Sequence, residues 1–194
     1  MQTDLSKFRT NGYYPGARWK ILLWYLINYF ILDSAFPWPY TIKRKLLRLF
    51  GAKVGQGVII KTKVRIKYPW KFKVGNHSWI GESVWIDNLE DVNIGSNVAL
   101  SQGAMLLTGN HDYSDEAFSY RLGKIVIEDG VWVGARSIVC PGVICKTHSV
   151  LTVASVATHD LEKWSIYSGN PAVFIRHRHI RHKTERSGAP VTLS

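Results

Sequence analysis

Three things are scarce in this sequence. Cysteine occurs twice, at Cys140 and Cys145, which is too little for a disulfide framework and lacks the partners of a four-ligand zinc spacing. Buried free thiols in a cytoplasmic protein are the expectation. Long apolar runs are missing as well. Trp19 to Leu32 is apolar apart from Lys20 and Asn28, but a membrane-spanning helix needs about 20 such residues, and no small-residue cleavage site marks the run as a secretory signal. Acidic residues are few, 14 against 25 Lys and Arg, for a net charge of +11. The excess is local, at Lys43-Arg44-Lys45-Arg48, Lys61 to Lys73 and Arg176 to Arg186. No nucleic-acid motif accompanies it, so a nucleic-acid partner is not expected. At 194 residues the chain suits one domain with terminal extensions.

What is present is a period of six. Val54, Ile60 and Ile66 are followed by Val74, Ile80 and Ile86, then Ile94, Leu100 and Leu106, then Ile127, Val133 and Val139, and lastly Cys145, Leu151 and Ala157. A helix repeats every 3.6 residues and a two-faced strand every 2, so neither explains the phase. A solenoid does. Each hexad would supply one short strand and one corner, three would close a triangular coil, and stacked coils would line up the aliphatics as an inner ladder. Gly55, Gly75, Gly81, Gly95 and Gly134 follow ladder positions, as tight corners would favour. Small or β-branched residues lie four after the ladder positions: Val58, Val64, Ser78, Val84, Val98, Ala104, Val131, Ser137, Val143, Ser149 and Ser155. A narrow prism admits only such second-rank side chains.

The period is broken in two ways. The early coils carry two extra residues at one corner, around Tyr68-Pro69 and Leu89-Glu90. At that same corner Leu106 and Ile127 stand 21 apart, so a loop, Thr108 to Lys124, must leave the solenoid there, and loops on rigid scaffolds concentrate function. Outside the repeat, Trp19 to Leu32 reads as a helix capping the open edge of the first coil. The competing reading is a monotopic anchor, with Trp19, Trp24, Trp38 and the Lys43 to Arg48 cluster at a lipid surface. Pro37 and Pro39 end that helix, and Thr41 to Phe50 reads as a short amphipathic one. Thr158 to Trp164 leaves the repeat, Ser168 to Ile175 is expected to return along a coil, and the tail from Arg176, with His177, His179 and His182, reads as solvated rather than as a metal site.

The repeat, the Asn110-His111 loop and the closing Ser168-Gly169-Asn170-Pro171-Ala172 resemble the hexapeptide-repeat acyltransferases, above all the sugar O-acetyltransferases of bacterial polysaccharide gene clusters of the colanic-acid type. The likeness takes in Leu49 to Gly55 and Tyr68-Pro69-Trp70-Lys71 and covers roughly residues 1 to 178. It implies a mainly β chain: a left-handed parallel β-helix of about five coils over 51–161 with loop 108–124, an N-terminal helical extension over 1–50, and a return segment and basic tail over 162–194. It also implies acetyl-CoA as acyl donor without a metal, a sugar or glycan acceptor, a homotrimer with active sites between subunits, and a cytoplasmic location with or without peripheral contact at the inner membrane. His111 would be the general base, a role suited to imidazole, which titrates near neutrality. Asp112 or a main-chain carbonyl would orient its ring. Gly134, Ala135 and Val153 match positions whose main chain lines the groove for the oxyanion and the CoA arm. Thr158 matches too, whereas the lysine that follows it in the family is His159 here, and Arg176 would meet a phosphate. Trp132 would wall the pantetheine channel or pack on a neighbouring subunit.

On the acceptor side stand Glu82, Asp87 and Asn88, polar groups where a plain face would carry small ones, with Trp85 to stack on a sugar ring and Asn110 and Asp112 from the loop. Alternatives remain: acetylation of an amine on an amino sugar or antibiotic, a solenoid scaffold without chemistry, and a zinc lyase. The last needs three convergent histidines, and only His77 and His111 lie in repeat or loop positions, with Glu116 five after His111.

Overall fold

Each hexad forms a strand of two or three residues and a corner in the computed structural model, which describes residues 2–10 and 12–180. Strands one coil apart pair in parallel, so that Val54 lies beside Val74, Ile60 beside Ile80 and Ile66 beside Ile86. The register survives the inserted loop, with Ile94 beside Ile127 and Leu106 beside Val139. The result is a parallel β-solenoid with three faces, whose first strands are Lys53–Val54, Ile59–Ile60 and Arg65–Ile66. Ladder and second-rank residues are buried, Val54 alone being half-buried.

Five coils are complete and a sixth begins. Leu161, buried, bridges to Cys145, so Thr158 to Trp164 keeps to the coil path instead of leaving it. Ser165–Gly169 then pairs in parallel with Val150–Leu151, and Ala172–His177 folds back antiparallel on it. The expected return along the coil is therefore a hairpin on the second face. Residues 181–194, which include His182, lie outside the described residues.

The glycines after the ladder work differently from the expectation. Gly55, Gly75, Gly81, Gly95 and Gly134 are not in the left-handed region; that conformation falls three residues after the ladder, at Lys63, His77, Ser83, Asn97, Arg136, His148 and Ala154 among others. What excludes a side chain is the next coil. A Cβ on Gly75 would lie 2.6 Å from Gly95 C and Ser96 N, and one on Gly134 2.6 Å from Thr152 C and Val153 N.

Hydrogen bonds between neighbouring coils run in both directions: His77 N donates back to Gln56 O and Asn97 N back to Asn76 O, while others point forward. Ile59 N donates to Ser78 O, Arg65 N to Val84 O and Gly75 N to Ile94 O, and so on up the stack. The first coil leaves both kinds of group facing the cap: Val64 N donates to Leu32 O, Lys63 N to Ser34 O and Ile66 N to Asn28 Oδ1, and two helices supply donors to the outward carbonyls. α1 (Arg18–Ile27), which a π-helical turn prolongs over Asn28–Leu32, buries Trp24 and sends its Nε1 to Ile66 O at 2.7 Å. α2 (Tyr40–Leu49) buries Leu47 and directs Lys43 Nζ at Ile60 O (3.2 Å), Arg44 at Val58 O (2.8 Å) and Arg48 at Val54 O (2.7 Å). Lys43, Arg44 and Arg48 thus face the solenoid, which corrects the picture of that cluster, and of Trp24, at a lipid surface. Among the described residues no helix is long and apolar enough to cross a membrane.

Candidate active site

The loop at the third-to-first corner is a β-hairpin, Gly109–His111 paired antiparallel with Tyr120–Leu122. Buried Thr108 fixes its root: the hydroxyl donates to Asp87 O at 3.0 Å and accepts from Glu90 N at 2.9 Å. At its tip Asp112 accepts from Ser114 N, and Asp115 is held below the usual carboxylate range by hydrogen bonds from the Ser119 side chain and the Ala117 and Ser119 amides. Asp112 is thereby a turn residue and leaves the ring of His111 to another partner.

That partner is a main-chain carbonyl. His111 Nδ1 lies 2.7 Å from Phe118 O. A carbonyl only accepts, so Nδ1 carries a proton, and in the neutral ring the lone pair is on Nε2. Aromatic rings hold the imidazole on several sides: Phe118 is stacked at 4.4 Å, Tyr120 tilted at 5.1 Å and Phe8 at 5.7 Å. Phe8 arrives on an N-terminal strap that sequence reasoning passed over. Asp4 N donates to Glu116 O, Lys7 Nζ reaches Glu116 Oε1 at 2.7 Å, Tyr13 meets Tyr120 edge-on, and Tyr13 Oη donates to Leu89 O. A cleft of about 380 Å³ opens beside the ring, lined by Asn110, His111, Tyr113, Arg121, Cys140 and Thr158. Burial raises the Cys140 thiol pKa.

The residues singled out from sequence divide into groups. Asn110, His111 and Thr158 share the cleft, with Thr158 Oγ1 3.0 Å from His159 Nδ1. Gly134, Ala135 and Val153 lie at the second-to-third corner, across the third face from His111, and Trp132, half exposed, donates from Nε1 to Ser101 Oγ on the second face. The Gly134 amide is not open to a ligand, since it donates to Leu151 O at 2.7 Å. Arg176 is exposed on Ala172–His177. Of the acceptor candidates, Asn88 is fully buried and clamps the Tyr68 corner through Tyr68 N, Tyr68 O and Lys71 O, so it is unavailable to a sugar. Asp87 pairs with Lys67 at 2.8 Å, and the Arg65 guanidinium lies 5.0 Å over the Trp85 ring. Glu82 is exposed at the second-to-third corner. His77 sits at the first-to-second corner, away from His111, and among the described residues no group of three His, Cys, Asp or Glu is arranged to hold a metal.

A β-solenoid with a histidine-bearing hairpin at one corner defines a class, and relatives agree. The chain belongs to the hexapeptide-repeat acetyltransferases. Within them it is 36% identical over 180 residues to the putative colanic acid biosynthesis acetyltransferase WcaF of Escherichia coli K12, covering 90% of this chain and 97% of that one. Two solved structures share the fold. A hexapeptide-repeat acetyltransferase from Vibrio cholerae in complex with acetyl coenzyme A aligns with TM-score 0.73 at 20% identity, over 84% of this chain and 87% of that chain. A maltose O-acetyltransferase from Clostridium difficile aligns with TM-score 0.74 at 20% identity, over 93% and 99%. No family model matches the chain.

Proposed function

We propose that this acetyltransferase transfers an acetyl group from acetyl-CoA to a hydroxyl of a sugar or glycan in bacterial polysaccharide assembly, with His111 as general base. Nε2 of His111 removes the hydroxyl proton as the oxygen attacks the thioester carbonyl. The tetrahedral intermediate then collapses, the C–S bond breaks, and the proton passes to the departing CoA sulfur. The observation that carries this reading is the Phe118 carbonyl at 2.7 Å from Nδ1, which fixes the tautomer a base requires. The colanic-acid name of the 36% relative supports the acceptor class.

We assign 1–50 to the cap, 51–161 to the solenoid with its hairpin and 162–194 to the return segment and tail. Trp132, Ala135, Val153 and Arg176 lie off the His111 cleft, as a homotrimer with sites between subunits would have it: one subunit gives the base and its neighbour the CoA groove. The acceptor is read by Asn110 and the side chains about the cleft, in a cytoplasmic enzyme touching the membrane at its N-terminal end.

The test is CoA-thiol release from acetyl-CoA over a panel of free, nucleotide-linked and lipid-linked sugars, beside His111→Ala. Release that needs a sugar and falls by about two to four orders of magnitude in the variant, with acetyl-CoA affinity little changed, is the expected result. Near-native turnover by His111→Ala removes the assignment.

A further inference from the structure

α1 is apolar on both sides. Its inner side packs Trp24, Ile27, Ile31 and Leu32 against the first coil. Its outer side leaves Trp19 68%, Leu22 65%, Leu26 58%, Tyr29 68% and Phe30 62% exposed, with Phe36 just beyond at 59%. Spacings of three and four put these side chains on one stripe, and six large side chains more than half exposed make an apolar surface of several hundred Å², beyond what a single soluble chain ordinarily leaves bare. A helix apolar all round is normally covered all round.

Charge says what covers it. Residues 5–81 hold fifteen Lys or Arg and one acidic residue, Asp33, whereas residues 82–194 hold ten Lys or Arg against twelve acidic residues. The positive charge of the chain therefore lies mainly in the segment that forms the cap and the first coils. Lys43, Arg44 and Arg48 are engaged with carbonyls, but Arg18, Lys45, Lys53, Lys61 and Lys63 are exposed there. A second copy seated on the stripe would bring two strongly basic halves together, at a Coulombic cost. An anionic surface is attracted by the same charges. Trp and Tyr mixed with Leu and Phe, and cations beside them, are what an interfacial helix carries: apolar groups at acyl-chain depth, amphipathic rings at the headgroups and Lys or Arg over anionic lipid.

We propose that the capped end of the solenoid docks on an anionic bilayer through the outer stripe of α1. Building on the proposed sugar-acetylating reaction, this adds the surface on which the enzyme works and favours a membrane-anchored glycan as acceptor. The helix lies in the interface plane, and the exposed lysines around it hold the phosphates.

The experiment is co-sedimentation of the full chain with vesicles of phosphatidylcholine alone or with added phosphatidylglycerol, without acetyl-CoA or sugar, so that its outcome is independent of the reaction. The chain should pellet with the anionic vesicles, stay largely free of the neutral ones and be released by salt. The triple variant Leu22→Gln/Leu26→Gln/Phe30→Gln should lose about tenfold or more of this binding, with thermal melting and CoA release on a soluble acceptor retained as proof of folding. Wild-type chain that ignores anionic vesicles overturns the proposal, as does undiminished binding by the folded variant. A variant that changes molar mass in light scattering, with vesicle binding unaltered, assigns the stripe to a second copy instead.

Discussion

The two open edges of the solenoid are closed by different side chains. At the first coil side-chain donors cover outward carbonyls, namely Lys43, Arg44, Arg48 and the Trp24 indole, and the cap also supplies acceptors to outward N–H groups, Leu32 O to Val64 N and Asn28 Oδ1 to Ile66 N. On the first face of the last full coil Ile144 turns both groups outward: its N–H donates to Asp160 Oδ1 at 2.8 Å and its carbonyl accepts from Leu161 N. The backbone dictates this. Alternate residues of an edge strand turn both their N–H and their C=O outward, so each end needs donors and acceptors, and an unpaired buried backbone group costs about as much as a lost hydrogen bond. Lys43, Arg44 and Arg48, each on a carbonyl of the first coil, contribute to the basic character of the capped half. Burial differs too, since Lys43 is 1% exposed while Asp160 is exposed.

That contrast can be broken at graded cost. The largest effect is expected inside the stack, where neither strategy applies: Gly75→Ala puts a Cβ against the backbone of the next coil and should cost about 3 kcal/mol, or about 6–12 °C in Tm for a chain of this size. At the buried edge, Lys43→Met keeps the bulk but strips Ile60 O and Lys61 O of their donor; urea midpoints should report a loss of about 2–3 kcal/mol. Burial also lowers the Lys43 pKa from its usual 10.5. The unfolded chain then binds more protons than the folded one just below that value, so wild-type stability should climb with pH there, a slope the Met variant lacks. At the exposed edge water can replace the carboxylate, and Asp160→Ala should cost about 1 kcal/mol or less by the same titration. Equal losses for Lys43→Met and Asp160→Ala would show that burial does not separate the ends. Smallest is Lys146→Ala at the Lys146–Glu162 surface pair (2.6 Å), expected within about 0.5 kcal/mol.

Sequence reading went as far as periodicity went. The ladder and its small second rank were legible because a narrow prism imposes them on every hexad, and both are buried as expected. The glycines were legible as positions but not as causes, since φ and the approach of the next coil leave the same letter. Lys43, Arg44 and Arg48 looked like the polar side of a helix because no local pattern tells which carbonyls a helix will meet. Asn88 looked like a ligand group for the same reason, its partners being Tyr68 and Lys71 one coil away. At the site, His111 was marked by the interruption of the repeat and by its motif. The choice between Asp112 and a carbonyl needed the hairpin register, and Phe8 carried no signal at all, lying outside every repeat.

The strap has a consequence for the order in which the molecule is made. Coils touch only their neighbours and can be laid down one after another, but the Lys7–Glu116 contact closes a separation of 109 positions. Such distant contacts pay their loop entropy late in folding. Phe8 therefore reaches the imidazole only after the third coil and the hairpin exist, and a nascent or partly folded chain holds a histidine without its full aromatic surround: activity becomes a property of the finished molecule.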